Sequence, residues 1–373
     1  MGRRRFTAAT VAMTKMKRYV CCILSMIILI LTVCTTVVCG EESGFCIHFI
    51  DVGQADAAVI LCDGEALMID GGNIADSSLI YSYLTRTLEL DHVDYMIGTH
   101  AHEDHIGGLA GALNACTVGT VYSPVVEYDS EALRDFRRYA EAQVGNLTIP
   151  NVGDTFNVGS ATVQFLSPAV QYSDTNDTSI VVRIVYGNTS FLFTGDAEWE
   201  PEHDMVASGN DLSATLLKVG HHGSDTSTSY VFLREVMPEY AVISVGQGNS
   251  YGHPCEDTLS RLRDAGAIIF RTDLQGNIIC YSDGNTLSFV TEKDDHIERT
   301  STGETVWSWD ESSGNPDPDE SSQAPYIGNK NSMKLHYAYC SSVDDMKESN
   351  KVEFYSRDEA INLGYVPCKR CNP

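Results

Sequence analysis

A dense group of metal-binding residue types occupies the stretch "THAHEDHIGG", residues 99–108. It holds three of the 11 histidines in this 373-residue chain, His100, His102 and His105, together with two acids. The stretch follows the apolar run "DYMIG" and leads through two glycines into a predicted helix, so it is expected on a loop at the C-terminal end of a strand. Ligands bind at this edge of open α/β sheets. A His-x-His pair on extended backbone points both rings the same way, and the following Asp-His turns back toward a neighbouring point, which favours two metal ions close together.

Further candidate ligands follow two other predicted strands. "FLFTGDAE" ends an apolar run with Asp196, and "LLKVGHHGS" ends another with His221 and His222. Imidazole nitrogens combined with carboxylate oxygens suit zinc, and also manganese or iron. A carboxylate placed between two cations can bridge them and hold their spacing.

The elements that must position these residues alternate between short β-rich runs and helical stretches from Phe45 to about Thr291. "FCIHFI", "AAVIL", "EALMID" and "DYMIGT" predict strands, and "SSLIYSYLTRTLEL", "GGLAGALNA" and "EALRDFRRYAEAQV" predict helices. A second series of strands runs from "ATVQFLS" to "AIIFRT", with "SYVFLREVM" and "EDTLSRLRDAG" as helices. Strands precede helices in both halves, which predicts two sheets covered by helices on the outside, a layered α/β fold.

Seven ordered motifs carry a family resemblance: "DVGQADA", "LMIDGG", "THAHEDHIGG", "NDTSIVV", "FLFTGDAE", "LKVGHHGS" and "YGHP". They resemble the metallo-β-lactamase superfamily and, within it, the soluble hydrolase domain of ComEC-type competence proteins and their secreted single-domain relatives. The resemblance covers residues 45–291. It implies a four-layer αββα fold and two divalent metal ions, Zn or Mn, that share a hydroxide as the nucleophile of a hydrolysis reaction.

The resemblance also implies a division of the metal ligands. His100 and His102 would hold one ion, Asp104 and His105 the other, with Asp196 as the bridge and His221 completing the second site. Asp70 would support the loop without binding metal. Many superfamily members have another histidine where this chain has "TNDTSIVV", so Asn176 or Asp177 would have to substitute for it. Ala55 stands where the branch usually has glycine.

Other candidate site residues surround this set. Asp104 is expected to act in catalysis as well as in metal binding, and the motifs place His222 and His253 near the same sheet edge, where either could protonate the leaving oxygen. Asn176 and Ser224 are candidate substrate-binding residues. The alternative for each is an ordinary loop residue whose polar groups are satisfied locally.

The first 40 residues resemble an export segment. Six basic residues and no acid accompany an uncharged apolar run from Tyr19 to Val38. This is the pattern of a signal peptide, although the run of about twenty residues is also long enough for a retained membrane anchor. Lipidation at Cys39 is a weaker alternative because Val38 stands where a small residue is needed. In either main case the rest of the chain is expected outside the cytoplasm, secreted or tethered to the outer face of the membrane.

The body that follows is strongly acidic. Without residues 1–40 the chain has 19 Lys and Arg against 51 Asp and Glu, a net charge of −32. Such a charge repels nucleic acid and anionic membranes at long range, so an anionic substrate must be captured locally by metal ions or a small basic surface. The membrane is expected to be a partner only through the N-terminal segment.

Residues 41–293 are thus predicted as the hydrolase domain and residues 294–325, rich in Ser, Asp, Glu and Pro, as a disordered linker. Residues 326–373 predict a separate small domain that contains one imidazole and three sulfurs, at His336, Cys340, Cys368 and Cys371. This set suits one structural zinc, and it resembles the metal-binding domain of Ada-type DNA repair proteins, with His336 replacing a family cysteine. A disulfide between Cys368 and Cys371 is the alternative.

Three functions remain open from the sequence. The first is a secreted or surface-anchored binuclear phosphodiesterase, a nuclease acting on DNA. The second is a non-catalytic surface module that binds DNA or a cell-wall component. The third is a hydrolase of another ester, such as a phosphocholine or thioester substrate; a true β-lactamase is disfavoured by the branch of the superfamily that the motifs indicate.

Overall fold

The computed structural model describes residues 44–168, 170, 172–293, 326–337, 341–344, 346–354, 360 and 363–368. The chain divides into two compact units, Met1–Glu298 and Arg299–Pro373. The predicted export segment 1–40 and the predicted linker 294–325 lie outside the described residues. Across the described ranges, no helix combines the length and the apolar character that crossing a membrane requires.

The first unit is built on two mixed β-sheets. Runs rich in Val, Ile and Phe form the strands, because β-branched and aromatic side chains pack well on a pleated surface. The described strands of this unit are β1 (Phe45–Phe49), β2 (Ala57–Cys62), β3 (Glu65–Gly71), β4 (His92–Ile97), β5 (Thr117–Tyr122), β6 (Thr155–Val158), β7 (Ala161–Ser167), β8 (Val181–Tyr186), β9 (Thr189–Phe193), β10 (Leu216–Lys218), β11 (Tyr240–Ile243), β12 (Ile268–Arg271), β13 (Ile278–Ser282) and β14 (Leu287–Thr291).

Each sheet has an antiparallel part and a parallel part. The first sheet has the order β14-β13-β1-β2-β3-β4-β5 and the second the order β12-β11-β10-β9-β8-β7-β6. Strands β3, β4 and β5 are parallel in the first sheet, and β9 to β12 are parallel in the second. Because ligands bind beyond the carboxyl ends of parallel strands, the loops after β3, β4, β9 and β10 are placed to form a site.

Helices lie on the outer faces of the two sheets. The longest, α4, begins after Ser130, whose hydroxyl accepts a hydrogen bond from the Leu133 amide as an N-cap. The described helices of this unit are α1 (Ser77–Ser82), α2 (Glu103–Ile106), α3 (Leu109–Ala115), α4 (Glu131–Val144), α5 (Trp199–Ser208), α6 (Tyr230–Val236), α7 (Glu256–Asp264) and α8 (Thr272–Gln275). A π-helical turn at Tyr83–Thr87 extends α1, and single 3-10 turns occur at Ile74–Asp76, Asn176–Thr178 and Gly220–Gly223.

Three apolar clusters separate four layers. The first cluster joins the outer face of the first sheet to its helices, for example through Met68 and Phe136. The second, which includes Phe191, fills the space between the two sheets. The third joins the second sheet to its own helices through residues such as Leu217 and Phe232. The layers follow the order αββα, so the fold predicted for this part of the chain is confirmed.

The second unit contains a four-stranded sheet in the order β17-β15-β16-β18. Its buried apolar groups form two small clusters, one around Leu335 and Phe354 and one around Ile327 and Val343. Cores of this size contribute little free energy of folding, which is why small domains often require a metal or disulfides. The described elements are β15 (Tyr326–Asn329), β16 (Lys334–Tyr337), α9 (Ser341–Asp344), a 3-10 turn at Glu348–Asn350, β17 (Lys351–Phe354) and β18 (Val366–Pro367).

Candidate metal centre

The histidine-rich loop is held against the end of β3. Asp70, in the last part of that strand, accepts hydrogen bonds from the Thr99 amide at 2.8 Å and from the Thr99 hydroxyl at 2.7 Å. Its Oδ2 also lies 2.8 Å from His105 Nδ1. These contacts fix the start of the loop and the plane of one imidazole, and they fit the supporting role that the resemblance implies for Asp70.

Asp196, in the loop after β9, lies at the centre of the cluster. Its Oδ1 is 3.2 Å from His105 Nε2, and its Oδ2 is 3.9 Å from His100 Nε2. His222 Nε2 is 3.7 Å from Asp196 Oδ2 and 3.3 Å from Asp104 Oδ2. The tertiary fold therefore brings candidate ligands from the loops after β4, β9 and β10 to one point, as expected from their positions at strand ends.

The imidazole nitrogens and carboxylate oxygens of this cluster fit a pair of cations. Among the described residues, three buried atoms that face one another have no hydrogen-bond partner: His105 Nε2, His222 Nε2 and Asp196 Oδ1. Buried polar atoms without a partner are costly, and a cation between them would satisfy all three. Ligand atoms on a tetrahedral Zn²⁺ lie roughly 3.4 Å apart at ordinary bond lengths, close to the spacings in this cluster. The groups His100, His105, Asp196 and Asp104, His105, His222 each bring three such atoms together.

His102 lies beside His100, with its Nδ1 3.0 Å from His100 Nε2. It precedes α2, whose first turn carries Asp104, and both residues are only partly buried. The histidine-rich loop thus offers two buried imidazoles toward the protein and a more open side formed by His102 and Asp104. Substrate and water can reach the cluster from that side.

The charges of the cluster are strongly coupled. Although burial alone would raise the pKa of Asp196, the attraction of His105 and His222 holds it well below its ordinary value. Burial favours neutral His105, but the carboxylates of Asp196 and Asp70 raise its pKa well above the ordinary value. Burial lowers the pKa of His100 well below its usual range, so this imidazole is neutral and one of its nitrogens keeps a lone pair.

The two consecutive histidines occupy an unusual backbone conformation. His221 has φ 48° and ψ 45°, and His222 has φ 52° and ψ 24°, both in the left-handed region that non-glycine residues rarely adopt. Such strained residues persist where the surroundings impose them, often at functional sites. Here the conformation lets both rings approach Asp196 Oδ2, His221 Nε2 at 3.8 Å and His222 Nε2 at 3.7 Å.

A buried ion pair lies behind His222. Lys218 Nζ donates to Asp56 Oδ2 at 2.6 Å, and Asp56 Oδ1 is 3.1 Å from His222 Nδ1. The same Nδ1 is 3.0 Å from the Ser244 carbonyl oxygen. The Ser244 carbonyl, which accepts a hydrogen bond from Nδ1, and the adjacent Asp56 carboxylate keep the proton on that nitrogen and leave Nε2 to face Asp104 and Asp196, as in carboxylate-histidine-metal arrangements.

A second carboxylate, Glu198, lies behind His221. Its Oε1 is 3.1 Å from His221 Nδ1 and accepts hydrogen bonds from Thr226 Oγ1 at 2.9 Å and Asn176 Nδ2 at 3.3 Å. Asp177 accepts a hydrogen bond from the Glu198 amide at 3.2 Å. Asn176 and Asp177, one of which was expected to substitute for a missing metal ligand, are thus both hydrogen-bonded to Glu198, the carboxylate behind His221.

The remaining predicted residues lie around this core. Ser224 is buried, and its hydroxyl is 3.0 Å from Thr226 Oγ1, so it belongs to the loop that holds the histidine pair. His253 is partly buried, and its ring centroid is 5.6 Å from that of His221. Asn176 is oriented toward Glu198. The structure therefore places Ser224 in a supporting position and His253 at the edge of the cluster.

Sequence reasoning assigned no role to Asp56, Lys218 or Glu198. All three occur within quoted motifs, and one signal was available: Lys218 is a lysine inside the apolar run "ATLLKVG" and therefore requires a buried partner. The sequence does not identify Asp56 as that partner, because Asp56 is 162 residues away along the chain.

Two of the four predicted zinc ligands of the C-terminal unit lie among the described residues. Strands β16 and β18 pair in parallel with Leu335 opposite Pro367, so His336 and Cys368 are the next residues in register. Both side chains are buried, and the Cys368 amide donates to the Leu335 carbonyl at 2.8 Å. Cys340 and Cys371 lie outside the described residues. The zinc site itself remains a prediction.

The fold and the cluster together define a class of protein: a four-layer αββα fold with histidines and aspartates converging at the carboxyl ends of its parallel strands. Residues 50–247 match the family model described as the metallo-beta-lactamase superfamily. This match covers more than half of the chain, and the chain belongs to this superfamily, whose members are metallohydrolases.

Two relatives indicate the branch. The chain is 32% identical over 228 residues to "Competence protein ComA" of Neisseria gonorrhoeae, covering 61% of this chain and 30% of that protein. It is 30% identical over 253 residues to "ComE operon protein 3" of Bacillus subtilis, covering 62% of this chain and 32% of that protein. These similarities support the ComEC-type assignment made from the motifs. The chain spans about a third of the length of these curated relatives.

Among solved structures, the metallo-beta-lactamase fold protein YhfI from Bacillus subtilis is similar with a TM-score of 0.46 and 12% sequence identity. The similarity covers 65% of this chain and 100% of that one.

Proposed function

We propose that this protein is an exported binuclear metallohydrolase that cleaves phosphodiesters, with DNA as its substrate. The observation that carries the proposal is the buried contact of Asp196 with His105 and His222, imidazoles from two other loops, whose Nε2 atoms have no hydrogen-bond partner among the described residues. Membership in a superfamily of metallohydrolases and similarity to competence proteins support the reaction class and the substrate.

When bound, a pair of divalent cations would supply Lewis acidity and lower the pKa of water, which is what hydrolysis of a phosphodiester requires. The residues that would hold them are His100, His102, Asp104, His105, Asp196 and the histidine pair at 221 and 222. Although burial would raise the pKa of Asp104, its contacts with His222 and His105 lower it to about 2, so this carboxylate is ionised at neutral pH. His253, at the edge of the cluster, is placed to contact the substrate or its leaving oxygen.

A groove beside the cluster supports a phosphodiester substrate. It has a volume of about 480 Å³ and is lined by residues 126–129 and by Leu133, Arg134 and Arg137 of α4. The Tyr128 ring centroid is 6.3 Å from that of His102, which connects the groove to the cluster. Guanidinium groups bind phosphates, and an exposed tyrosine can stack on a base. Two acids, Glu127 and Asp129, line the groove together with the two arginines. Arg134 pairs with Asp129 and Arg137 with Glu141, so a phosphate would bind in competition with these carboxylates.

The proposal is tested with purified residues 41–373 incubated with single-stranded DNA, double-stranded DNA and bis-p-nitrophenyl phosphate in the presence of Mn²⁺ or Zn²⁺. We expect hydrolysis that falls by at least about a hundredfold in Asp196→Ala and His102→Ala, because each removes a group that acts on the cations. His203→Ala, at an exposed position, is the matched control. Full DNA binding by metal-free protein without hydrolysis would instead indicate the binding module, and cleavage of a phosphocholine or thioester alone would indicate the other ester hydrolase.

If the groove binds nucleic acid, its arginines should matter for a DNA oligonucleotide and not for a small phosphodiester. In Arg134→Glu/Arg137→Glu, the KM for a DNA oligonucleotide should rise about tenfold or more, since phosphate contacts supply most non-specific affinity. The kcat/KM for bis-p-nitrophenyl phosphate, which is too small to fill the groove, should stay within about twofold of the parent protein. Equal losses on both substrates would show that the groove does not bind the nucleic acid.

A further inference from the structure

We propose that the tandem histidines are divided between the two cations: His222 completes the second site, and His221 supplies the third imidazole of the first site, oriented by Glu198. This inference rests on the proposed binuclear function and changes the ligand assignment that the sequence implied, in which His221 completes the second site. It makes Glu198 a positioning residue of the metal centre.

The distances separate the roles of the two rings. His222 Nε2 lies 3.3 Å from Asp104 Oδ2, the carboxylate assigned to the second cation, and His222 is grouped there with His105. Asp196 Oδ2 is common to His221, His222 and His100, whose Nε2 atoms lie 3.8, 3.7 and 3.9 Å from it. The contact with Asp104 is what separates the two adjacent rings: His222 makes it, whereas the ion-pair contacts of His221 among the described residues are with Asp196 and Glu198. His222 therefore belongs with the ligands of the second cation, and His221 is left for the first, beside His100.

Each ring is held from behind by its own carboxylate. Asp56 lies 3.1 Å from His222 Nδ1, and Glu198 lies 3.1 Å from His221 Nδ1. A carboxylate at Nδ1 keeps the proton there and leaves Nε2 to bind a metal. Two adjacent histidines, each with a separate supporting carboxylate and each with Nε2 toward Asp196, are arranged as two ligands and not as one ligand with a spare neighbour.

The backbone conformation supports the same assignment. Two consecutive non-glycine residues with φ of 48° and 52° carry a conformational cost. On extended backbone the side chains of adjacent residues point to opposite sides. The left-handed conformation at both positions instead brings the Nε2 atoms of both rings within 3.8 Å of Asp196 Oδ2.

A competing ligand for the first cation is Asn176. Its Nδ2 donates to Glu198 at 3.3 Å, while its Oδ1 is buried and has no hydrogen-bond partner among the described residues. The experiment therefore has to distinguish an imidazole at position 221 from an amide oxygen at position 176.

The test counts Mn²⁺ ions bound by residues 41–373 at a fixed free concentration, using equilibrium dialysis and elemental analysis. Mn²⁺ prefers oxygen and nitrogen ligands, so the thiolate-rich tail contributes little to the count. The parent protein should bind two ions. His221→Ala and the double variant His102→Ala/His221→Ala should each bind one, because both lesions affect the same site, whereas His102→Ala/His222→Ala should bind none. Asn176→Ala should still bind two.

Glu198 is tested by its graded variants. Glu198→Ala should lower the affinity of the first site for Mn²⁺ about 10- to 100-fold, as loss of a residue supporting a metal ligand typically does. Glu198→Gln, which keeps an acceptor oxygen for His221 Nδ1, should restore most of that affinity, which a merely structural loss would not allow. Binding of the second ion reports that each variant is folded.

Three outcomes overturn the inference. Two ions bound by His221→Ala would show that His221 is not a ligand, and no ions bound by His102→Ala/His221→Ala would place His221 at the second site. Fewer than two ions bound by the parent protein would reject the binuclear function together with this inference, which distinguishes the failure of the broader proposal from that of the narrower one.

Discussion

At the scale of single residues, the candidate metal centre is a buried set of acids and imidazoles whose charges depend on one another. Asp196 and Asp70 raise the pKa of His105, and Asp196 and Asp56 outweigh burial to raise the pKa of His222 to about 10. Without cations, protons on these imidazoles balance the carboxylates. Cations that enter the cluster must displace those protons, so metal binding and protonation are linked.

This linkage predicts how cation affinity depends on pH. Because the raised pKa values keep His105 and His222 protonated near neutrality, the affinity for Mn²⁺ should rise between pH 6 and pH 9, by up to about tenfold per pH unit for each proton displaced. Isothermal titration calorimetry in buffers of different ionisation enthalpy measures the protons released. An affinity that does not change with pH would contradict the linkage.

The cation-free protein should show the opposite trend in stability. The pKa of His222 in the folded protein, about 10, lies above the ordinary histidine value of 6.5. The stabilisation from its protonated form is therefore complete below pH 6.5 and is lost as the pH rises toward 10.

Asp56 offers a second prediction at this scale. Asp56→Asn removes the negative charge at His222 Nδ1, and Mn²⁺ affinity should fall about 10- to 100-fold. It also leaves Lys218 as a buried cation without its counter-charge, which should cost about 3–5 kcal/mol in the free energy of unfolding.

The double variant Asp56→Asn/Lys218→Met separates the two effects. Removing the buried lysine should recover part of the unfolding free energy, measured by urea denaturation, while the affinity for Mn²⁺ stays low. Recovery of both quantities would mean that Asp56 acts only on stability and has no role in orienting His222.

At the scale of elements, the loop between β4 and α3 depends on close backbone packing against the end of β3. A Cβ atom at Gly108 would lie 1.9 Å from the Gly71 carbonyl oxygen, a distance that no side chain can tolerate. The backbone of Gly108 itself has an ordinary φ of −81°. Glycine is therefore required at this position by space and not by backbone conformation, and it allows the histidine-rich loop to approach Asp70.

Gly108→Ala should consequently destabilise the protein by at least about 3 kcal/mol, since the backbone of both elements has to shift. Gly153→Ala is the matched control: its φ of +92° makes alanine strained, but no atom lies within 4 Å of the added Cβ. We expect the control to cost only about 1 kcal/mol. If thermal or urea denaturation gave the same loss of unfolding free energy for Gly108→Ala and Gly153→Ala, close packing against Gly71 would not be what requires glycine at position 108.

Helix α5 shows why an element can escape sequence reasoning. Its buried residues are Pro201, Glu202 and Met205, so it lacks a regular apolar stripe and was not predicted. Glu202 accepts hydrogen bonds from the amides of Thr228 and Ser229 at the start of α6. This polar contact ties α5 to the loop that follows the histidine pair, and only the folded arrangement of the two helices reveals it.

At the scale of the whole molecule, the three apolar clusters leave the metal centre at one edge of the sandwich. In β3, Leu67 and Ile69 face the space between the sheets, and Ala66 and Met68 face the helices. This alternation buries both faces of the strand, so its end is held firmly where Asp70 is needed. The strong negative net charge affects which molecules the protein can approach, and it does not determine the fold.

The C-terminal unit leads to a prediction for the full chain. If His336 and Cys368 hold zinc, Cys368→Ser should lower the zinc content by one ion and abolish the cooperative unfolding of this unit, because metal-binding free energy is folding free energy in such small domains. Cys255→Ser, a partly exposed cysteine of the first unit, should leave both unchanged. Parent protein that contains a Cys368–Cys371 disulfide and no tail zinc would contradict the zinc site.

The sequence alone determined the layered fold and the approximate position of the candidate metal centre. Period-two and helical patterns identified strands such as β7 and helices such as α4, and the ordered motifs placed His100, Asp196 and His222 at strand ends. These features are local, because about ten neighbouring residues contain both the pattern that predicts a strand and the loop that follows it.

Only the tertiary structure decided which carboxylates lie behind the candidate ligands. Lys218 meets Asp56 across 162 residues, and Glu198 meets His221 because the loops after β9 and β10 lie side by side. The two rings of "GHHG" look equivalent in the sequence, and their surroundings alone distinguish them. Contacts between distant segments depend on how the two sheets pack, and no short stretch of sequence encodes that packing by itself.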